Sequence, residues 1–204
     1  MSRLTIAIPT FRRPQDLKRA VSGVLEQAGE LVDGPRVEAC DPEGDTAGAA
    51  DADGGAGRGV YDVEVLVIDN DARGTGREAA LTAAADAGVA VRSSVEGAEG
   101  PEAVGLRYVV EERAGVAAVR NRALDETGGR DLLIFIDDDE DPEPGWLAAL
   151  VGLWASTGCQ AVAGPVIPFY EVEPEAWVRQ GEFFVRRTWP TGTVRPVAAS
   201  NCLL

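Results

Sequence analysis

Short apolar runs alternate with segments of helical periodicity along most of the chain. The apolar runs are rich in β-branched residues, which is typical of strands buried in a parallel sheet. One strand opens at Leu4 and stops at Pro9, because proline cannot donate a hydrogen bond to a neighbouring strand. Further strands are predicted at residues 63–69, 106–112 and 131–137, and another begins at residue 160.

The segments between these strands have the spacing of amphipathic helices. In residues 12–28, apolar side chains follow the i, i+3, i+4, i+7 pattern of a helix with one buried face. Pro14 and Asp16 suit the first turn of this helix. Further helices are predicted at residues 76–88, 116–127 and 146–157. The alternation predicts an α/β domain with a mostly parallel sheet and helices on both faces.

Two stretches interrupt this alternation. Residues 29–60 contain eight glycines, two prolines and eight acidic residues, against only Arg36 and Arg58 as basic residues. This composition buries too little apolar surface to offset the entropy cost of ordering the chain. We predict a flexible, acidic, glycine-rich insertion at 29–60, with an acidic recognition loop as the weaker alternative. Residues 92–105 are predicted to be a second loose insertion, and residues 1–204 a single domain.

Composition excludes several classes of protein. The net charge is −15, with 34 acidic and 19 basic residues, which argues against a general binder of nucleic acid or of anionic membranes. No apolar run approaches the ~20 residues of a membrane span, the first residues do not resemble a signal peptide, and membrane association is not indicated. Three distant cysteines (40, 159 and 202) suggest no disulfide framework, so we expect a cytoplasmic protein.

Five consecutive acidic residues, 137–141, follow the most apolar predicted strand. Clustered carboxylates at the rim of a buried strand repel one another and are costly to desolvate, so a cation is expected beside them. The chain contains no histidine, so oxygen ligands and hence Mn²⁺ or Mg²⁺ are expected. "IPTF", "IDND" and "IDDDED" all lie at predicted carboxyl ends of strands, where α/β sheets bind ligands. A solvated acidic turn is the alternative.

Several metal or phosphate sites compete as explanations of this acidic run. An EF-hand loop fails, because Pro142 and Ala148 occupy its glycine and glutamate positions. An aspartate-nucleophile phosphatase would place its Asp-x-Asp earlier in the chain. A dinucleotide fold could be argued from "GTGREA", but these glycines follow their strand only after several residues. A fourth possibility is an Asp-x-Asp motif that holds a metal against a nucleotide diphosphate.

Several ordered motifs together resemble family 2 glycosyltransferases. "IAIPTFRRPQDLKRAVSGVLEQ" resembles the opening strand, turn and helix of that family, and "VEVLVIDND" its second strand. "LRYVVEERAGVAAVRNRALDETGGRDLLIFIDDDEDPEPGWLAAL" resembles the central block, and "PVAASNCLL" the start of the acceptor-side segment. The resemblance implies a GT-A, Rossmann-like fold with a truncated acceptor-side portion. It implies metal-assisted, inverting transfer from a UDP-, GDP- or dTDP-sugar to a hydroxyl of a sugar, lipid or small-molecule acceptor.

The resemblance also implies roles for individual residues. Residues after the first strand would contact the nucleobase: Pro9, Thr10, Phe11 and Arg12. Asp69 and Asn70 would hold the base or ribose, although many relatives have a second aspartate in place of Asn70. The helix pair Arg120 and Asn121 would approach the base or diphosphate. In the acidic run, Asp137 would face the ribose or metal, Asp139 would coordinate the metal, and Asp138 is included among the nucleotide-binding candidates.

No residue of the chain matches the expected catalytic base, which deprotonates the acceptor hydroxyl. The resemblance places it beyond Leu204, with the glutamates between Glu171 and Glu182 as the other candidates. A nucleotide-sugar-binding module without turnover is therefore the alternative function, and a dinucleotide-binding oxidoreductase a more distant one. The apolar end of the chain predicts an exposed apolar edge near Leu203.

Overall fold

The computed structural model describes residues 2–34, 61–93, 103–185 and 200–204. The strands are β1 (Ser2–Thr10), β2 (Tyr61–Asp69), β3 (Ala90–Val91), β4 (Val104–Val110), β5 (Leu132–Phe135), β6 (Val162–Ala163) and β7 (Cys202–Leu203). The helices are α1 (Pro14–Asp33), α2 (Arg77–Asp86), α3 (Val116–Glu126), α4 (Trp146–Thr157) and α5 (Ala176–Gly181). The predicted alternation of strand and helix is therefore present in the described chain.

The strands form one seven-stranded sheet in the order β3-β4-β2-β1-β5-β7-β6. Strands β3, β4, β2, β1 and β5 are mutually parallel, and β7 pairs antiparallel with both β5 and β6. A continuous apolar run such as β2 suits this position, because helices cover both faces of the sheet. The predicted α/β fold class is confirmed.

Side chains of alternate residues on each strand feed two hydrophobic cores. On one face, Val65 and Val67 of β2 pack with the buried sides of α1, α2 and α4. On the other face, Leu66 and Ile68 pack with Val119 of α3. The apolar stripe predicted for α1 is buried as expected, and it holds this helix firmly against the sheet.

Both predicted insertions begin or end inside regular structure. Helix α1 continues to Asp33, because Leu31 extends its buried stripe by another turn. The start of the first insertion at residue 29 is therefore wrong, and its residues 35–60 lie outside the described residues. Strand β4 begins at Val104, so the second insertion ends before that residue; residues 94–102 also lie outside the described part.

The predicted apolar edge near Leu203 is wrong. Strand β7 lies between β5 and β6, where Leu203 pairs with Ile134 on one side and Val162 on the other. The Leu203 side chain is fully buried, and the backbone of Leu204 exchanges two hydrogen bonds with Leu133. The sequence pattern did not show that these two residues enter an existing sheet. Helix α5 was not predicted either. None of the described helices is long and apolar enough to cross a membrane.

Candidate functional site

The carboxyl ends of β1, β2 and β5 meet at one edge of the sheet, as the sequence predicted. Thr10 and Asp69, the last residues of β1 and β2, are direct partners in the parallel register. The amide of Asn70 then donates to the carbonyl of Thr10. On the other side of β1, the amide of Ile136 donates to the carbonyl of Ala7, which places the acidic run beside β1. The three motifs therefore line one edge.

The acidic run is neutralised largely by arginines of the same chain. Arg13 Nη1 lies 2.7 Å from Asp139 Oδ2 and 3.4 Å from Asp138 Oδ1. Arg19 Nε lies 2.8 Å from Asp141 Oδ1. Both arginines are basic residues at the start of α1, whose N-terminal end therefore faces the acidic run. The electrostatic attraction of Asp138 raises the pKa of Arg13, which stays charged.

Asp138 is the buried member of the run. Its Oδ2 accepts a 2.7 Å hydrogen bond from the hydroxyl of Thr10, and its side chain is only 8% exposed. Burial raises the pKa of Asp138, whereas the Thr10 hydrogen bond and the charge of Arg13 lower it. Asp138 thus joins the acidic turn to the end of β1, and the carboxylates that face solvent on either side are Asp137 and Asp139.

Asp137 and Glu140 are joined to the last described segment of the chain. The amide of Asp137 donates to Glu140 Oε2 and to Ser200 Oγ, each at 3.1 Å. The Ser200 hydroxyl in turn donates to Glu140 Oε2 at 2.5 Å. Trp146 Nε1 donates to Asn201 Oδ1 at 2.6 Å, so the start of α4 is fixed to the same segment. These contacts hold the backbone of the acidic turn in a defined conformation.

The loop after β2 is built around two buried aspartates. Asp69 exposes no surface, and its carboxylate accepts bonds from the amides of Asp71 and Gly76 and from the hydroxyl of Tyr108. Burial and the bond to Asp69 raise the pKa of Tyr108. Asp71 accepts from Arg73 and Arg12, which hold its pKa at about 2. The two carboxylates therefore hold this loop together by hydrogen bonds, and the exposed charged side chains that pair with Asp71 are Arg12 and Arg73.

Asn70 connects this loop to the start of α3. Its amide nitrogen donates to the carbonyls of Glu111 and Arg113 at 2.8 and 2.7 Å. Its side-chain oxygen accepts from the amide of Gly115 at 2.8 Å. An aspartate in place of Asn70 could not donate to two carbonyls. Asn70 therefore holds the Gly-led turn before α3, and its predicted contact with base or ribose stays a prediction.

The glycines of "GTGREA" have structural roles in this loop. Gly74 has a φ of +64°, the left-handed region that favours glycine. A Cβ at Gly76 would lie 2.8 Å from Leu17 Cδ2 and 3.1 Å from Asp69 Oδ2. Close packing and a tight turn thus explain both glycines, and a dinucleotide fingerprint is not needed.

The other predicted nucleobase residues form the turn from β1 to α1. Pro9 is half-buried within β1, whereas the side chain of Phe11 is exposed. Arg12 adopts a φ of 57°, stacks 4.7 Å from the centre of the Phe11 ring and donates to Asp71 Oδ2 at 3.0 Å. An exposed aromatic ring and a guanidinium lie side by side here, an arrangement that can stack on a flat base.

Of the two neighbouring residues predicted on α3, Arg120 faces the site and Asn121 does not contact it. Arg120 Nη2 lies 3.6 Å from Asp137 Oδ1, and its guanidinium lies 5.7 Å from the centre of the Phe135 ring. Its Nε is buried without a hydrogen-bond partner among the described residues. Asn121 is exposed, and none of the contacts within the described chain joins it to the other site residues. The Arg120 side chain is 25% exposed, so the outer part of its guanidinium can reach an anionic group.

The carboxylates of the acidic turn suit a divalent cation that takes its other oxygen ligands from a phosphate. Asp137 and Asp139 are half-exposed carboxylates, and the guanidinium of Arg13 already places one positive charge beside Asp139. Across residues 2–34, 61–93, 103–185 and 200–204, no group of three or more acidic or cysteine side chains could hold a metal ion. Mg²⁺ and Mn²⁺ sites of this kind use one or two carboxylates and take further oxygens from the phosphates of the ligand.

Some residues of this edge were not found from the sequence. Arg13 directly follows the predicted site residue Arg12, so extending the first motif by one position would have included it. Ser200 lies within "PVAASNCLL", which resembled the acceptor-side segment without suggesting a contact to Asp137. Tyr108 lies on β4 with its side chain on the same face as Leu106, and alternation along the strand gave no sign of its hydrogen bond to Asp69.

The sequence profile described as Glycosyl transferase family 2 matches residues 57–199. The chain belongs to glycosyl transferase family 2. A curated relative, the succinoglycan biosynthesis protein ExoM of Rhizobium meliloti (strain 1021), is 33% identical over 143 residues. The aligned part is 70% of this chain and 41% of ExoM, so the chain spans less than half the length of that relative. The family assignment confirms the resemblance, and with the observed sheet it confirms the predicted GT-A fold class.

Solved structures with similar folds include other glycosyltransferases. The mannosyltransferase PcManGT from Pyrobaculum calidifontis, in complex with GDP-Man and Mn²⁺, has 18% identity and a TM-score of 0.49, over 78% of this chain and 34% of its own. S. aureus TarS 1-349 has 12% identity and a TM-score of 0.47, over 83% and 39%. M. tuberculosis glucosyl-3-phosphoglycerate synthase has 18% identity and a TM-score of 0.45, over 79% and 44%.

Proposed function

We propose that this chain is the nucleotide-sugar-binding part of a glycosyltransferase. The reaction moves a sugar from a nucleoside-diphosphate sugar to an acceptor hydroxyl with inversion, assisted by Mn²⁺ or Mg²⁺. The observation that carries the proposal is the direct linkage of three separate motifs at one sheet edge. Thr10 bonds to Asp138, Arg12 to Asp71, and Arg120 lies beside Asp137. Family membership supports the reaction class.

The exposed side chains of this edge suit the parts of a nucleoside diphosphate. Phe11 and Arg12 present a ring and a guanidinium to the base. Pro9 and Thr10, which precede them at the end of β1, are proposed to lie beside the same base. Asp69 and Asn70 shape the neighbouring loops through their hydrogen bonds to the amides of Gly76 and Gly115. Arg120, whose side chain is 25% exposed beside Asp137, is the residue we assign to the diphosphate, since a guanidinium binds phosphate oxygens in a fork.

Asp137 and Asp139 are the residues that would hold the divalent cation. When bound, such a cation neutralises the charge that develops on the leaving diphosphate. Asp138 would support both by fixing the turn through Thr10, rather than by direct coordination, because its side chain is buried and already accepts that bond. The turn is also fixed from the other side by Ser200.

The catalytic base is not assigned to a residue. The described carboxylates that follow β5 and the acidic turn include Glu173, which pairs with Arg179, and Glu175, which accepts a hydrogen bond from Trp177. Neither contacts the acidic turn within the described residues. Sugar transfer by this chain therefore stays a prediction. If a nucleotide binds and no sugar is transferred, the chain is a binding module without turnover.

The experiment is a nucleotide-binding assay on the full chain. UDP, GDP and dTDP are titrated with and without Mn²⁺, and thermal shift reports binding. Asp139→Ala should remove the Mn²⁺-dependent part of the shift. The matched control is Asp141→Ala, which removes a carboxylate two residues away that pairs with Arg19 and should keep that part.

The same proteins are then tested for release of nucleoside diphosphate from the corresponding sugars. Nucleotide binding in which Asp139→Ala and wild type respond equally to Mn²⁺ would refute the metal role. Binding without any release, in the presence of sugar and small-molecule acceptors, would favour the binding module over the enzyme.

A further inference from the structure

Arg13 contacts the acidic turn directly, and the proposed function gives it no role. It is the residue before α1, and its carbonyl accepts the amide of Leu17 at 2.9 Å, so its backbone is fixed. Its side chain leaves the helix and reaches Asp139 at 2.7 Å and Asp138 at 3.4 Å. One guanidinium nitrogen therefore contacts both carboxylates.

The two carboxylates differ in what else they bind. Asp138 keeps the Thr10 hydrogen bond when Arg13 withdraws, so it does not depend on this arginine alone. Among the described residues, Asp139 has Arg13 as its hydrogen-bond partner, and its side chain is 55% exposed. Arg13 is itself 52% exposed, so its side chain can move into solvent without opening the core.

A divalent cation bound to Asp139 and the guanidinium at its observed position would be close like charges. Their repulsion means that the cation and Arg13 cannot both hold the same carboxylate oxygen at full strength. Exposed ion pairs are weak, so the guanidinium is displaced at small cost. The affinity of the free protein for a cation is then reduced by the strength of that pair.

We propose that Arg13 is an internal counter-ion that competes with the divalent cation for Asp139. The inference rests on the metal ligation in the proposed function. A cation alone has to displace Arg13, whereas a nucleoside diphosphate supplies both extra oxygen ligands for the cation and negative charge for the released guanidinium. Arg13 thus favours uptake of the cation together with the diphosphate over uptake of the cation alone.

The test uses Mn²⁺ alone, with no nucleotide, and follows free Mn²⁺ by electron paramagnetic resonance. Arg13→Gln should bind Mn²⁺ about two- to fivefold more tightly than wild type, as expected for removal of an exposed ion pair. The control is Arg19→Gln. Arg19 is equally exposed and pairs with Asp141 at 2.8 Å, so this variant removes the same charge from the same turn without touching Asp139. It should change Mn²⁺ affinity less than Arg13→Gln does.

Two further variants separate the possible failures. Arg13→Lys retains a positive charge and should restore an affinity near that of wild type. Asp139→Ala should weaken Mn²⁺ binding in every background if the metal assignment is right. If Asp139→Ala binds Mn²⁺ like wild type, or if wild type binds no Mn²⁺ even with UDP, GDP or dTDP present, the metal assignment fails and this inference with it. If Asp139→Ala weakens binding but Arg13→Gln matches Arg19→Gln, only the role of Arg13 is refuted.

Discussion

The hydroxyl of Thr10 donates a 2.7 Å hydrogen bond to Asp138, which lies 128 residues later in the chain. Both side chains are buried, so this bond joins the end of β1 to the acidic turn in a region from which water is largely excluded. A hydrogen bond to a charged group in such surroundings is stronger than one between neutral groups. This bond therefore adds a direct side-chain link between the end of β1 and the acidic turn, beside the backbone bond from Ile136 to Ala7.

Thr10→Val should destabilise the protein. The substitution keeps the β-branched shape but leaves a buried carboxylate oxygen without its donor, at a cost of about 1–3 kcal/mol. Thr10→Ser retains the hydroxyl and serves as the control. Urea unfolding at pH 7 measures both, and equal stability of the two variants would contradict a structural role for the bond.

The periodic parts of the fold were predictable from the sequence because their physical cause is local. The buried stripe of α1 and the apolar run of β2 each specify an element without reference to the rest of the chain. The short strands β3 and β7 were missed because two residues have no periodicity. Strand β7 is defined by its pairing with β5 and β6, which no local pattern contains.

The candidate site was predictable at the level of motifs and not at the level of contacts. Alternation of strand and helix brings "IPTF", "IDND" and "IDDDED" to one edge, and this was inferred correctly. The positive charge beside the acidic run was expected from a cation alone, whereas Arg13 and Arg19 pair with three of its carboxylates. These pairs span more than 100 residues of sequence, so spacing along the chain gives no sign of them.

Gly76→Ala should be destabilising by about 1–3 kcal/mol. The new Cβ would lie 2.8 Å from Leu17 Cδ2 and 3.3 Å from Thr10 Cγ2, so the contact between the loop and α1 has to shift. Gly29→Ala is the control, because this glycine lies within α1 and nothing lies within 4 Å of its added Cβ. That change should stabilise by about 0.4–1 kcal/mol. Thermal unfolding distinguishes the opposite signs, and a neutral Gly76→Ala would contradict the close packing.

Glu64→Gln should be among the most destabilising single changes in the chain. Glu64 is fully buried on β2, 3.0 Å from Arg107 Nη2 and 3.5 Å from Arg130 Nη2. Burial lowers the pKa of Arg130, the direction expected when a cationic group is desolvated. Loss of the shared carboxylate charge leaves two buried guanidinium groups less compensated, at a cost of about 3–5 kcal/mol.

The control for Glu64→Gln is an ion pair at the surface. Lys18 Nζ lies 2.9 Å from Asp86 Oδ2, and both side chains are exposed. Lys18→Gln should change the free energy of unfolding by no more than about 1 kcal/mol. If both variants unfold at the same urea concentration as wild type, the buried network does not stabilise the fold.

Asp71 should contribute stability that is lost in acid. Hydrogen bonds from Arg73, and then from Arg12, lower its pKa from 3.8 to about 2 in the folded protein. An acid whose pKa is lower in the folded state stabilises the fold above its unfolded pKa and loses this contribution as the pH falls through its folded pKa. The difference in unfolding free energy between wild type and Asp71→Asn should therefore be constant near neutral pH. It should shrink as the pH falls from about 4 toward 2.

Urea unfolding at a series of pH values measures this difference, with Asp86→Asn as the exposed control that should remain close to wild type throughout. A difference that grows in acid, or that is absent at neutral pH, would contradict the role assigned to these arginines.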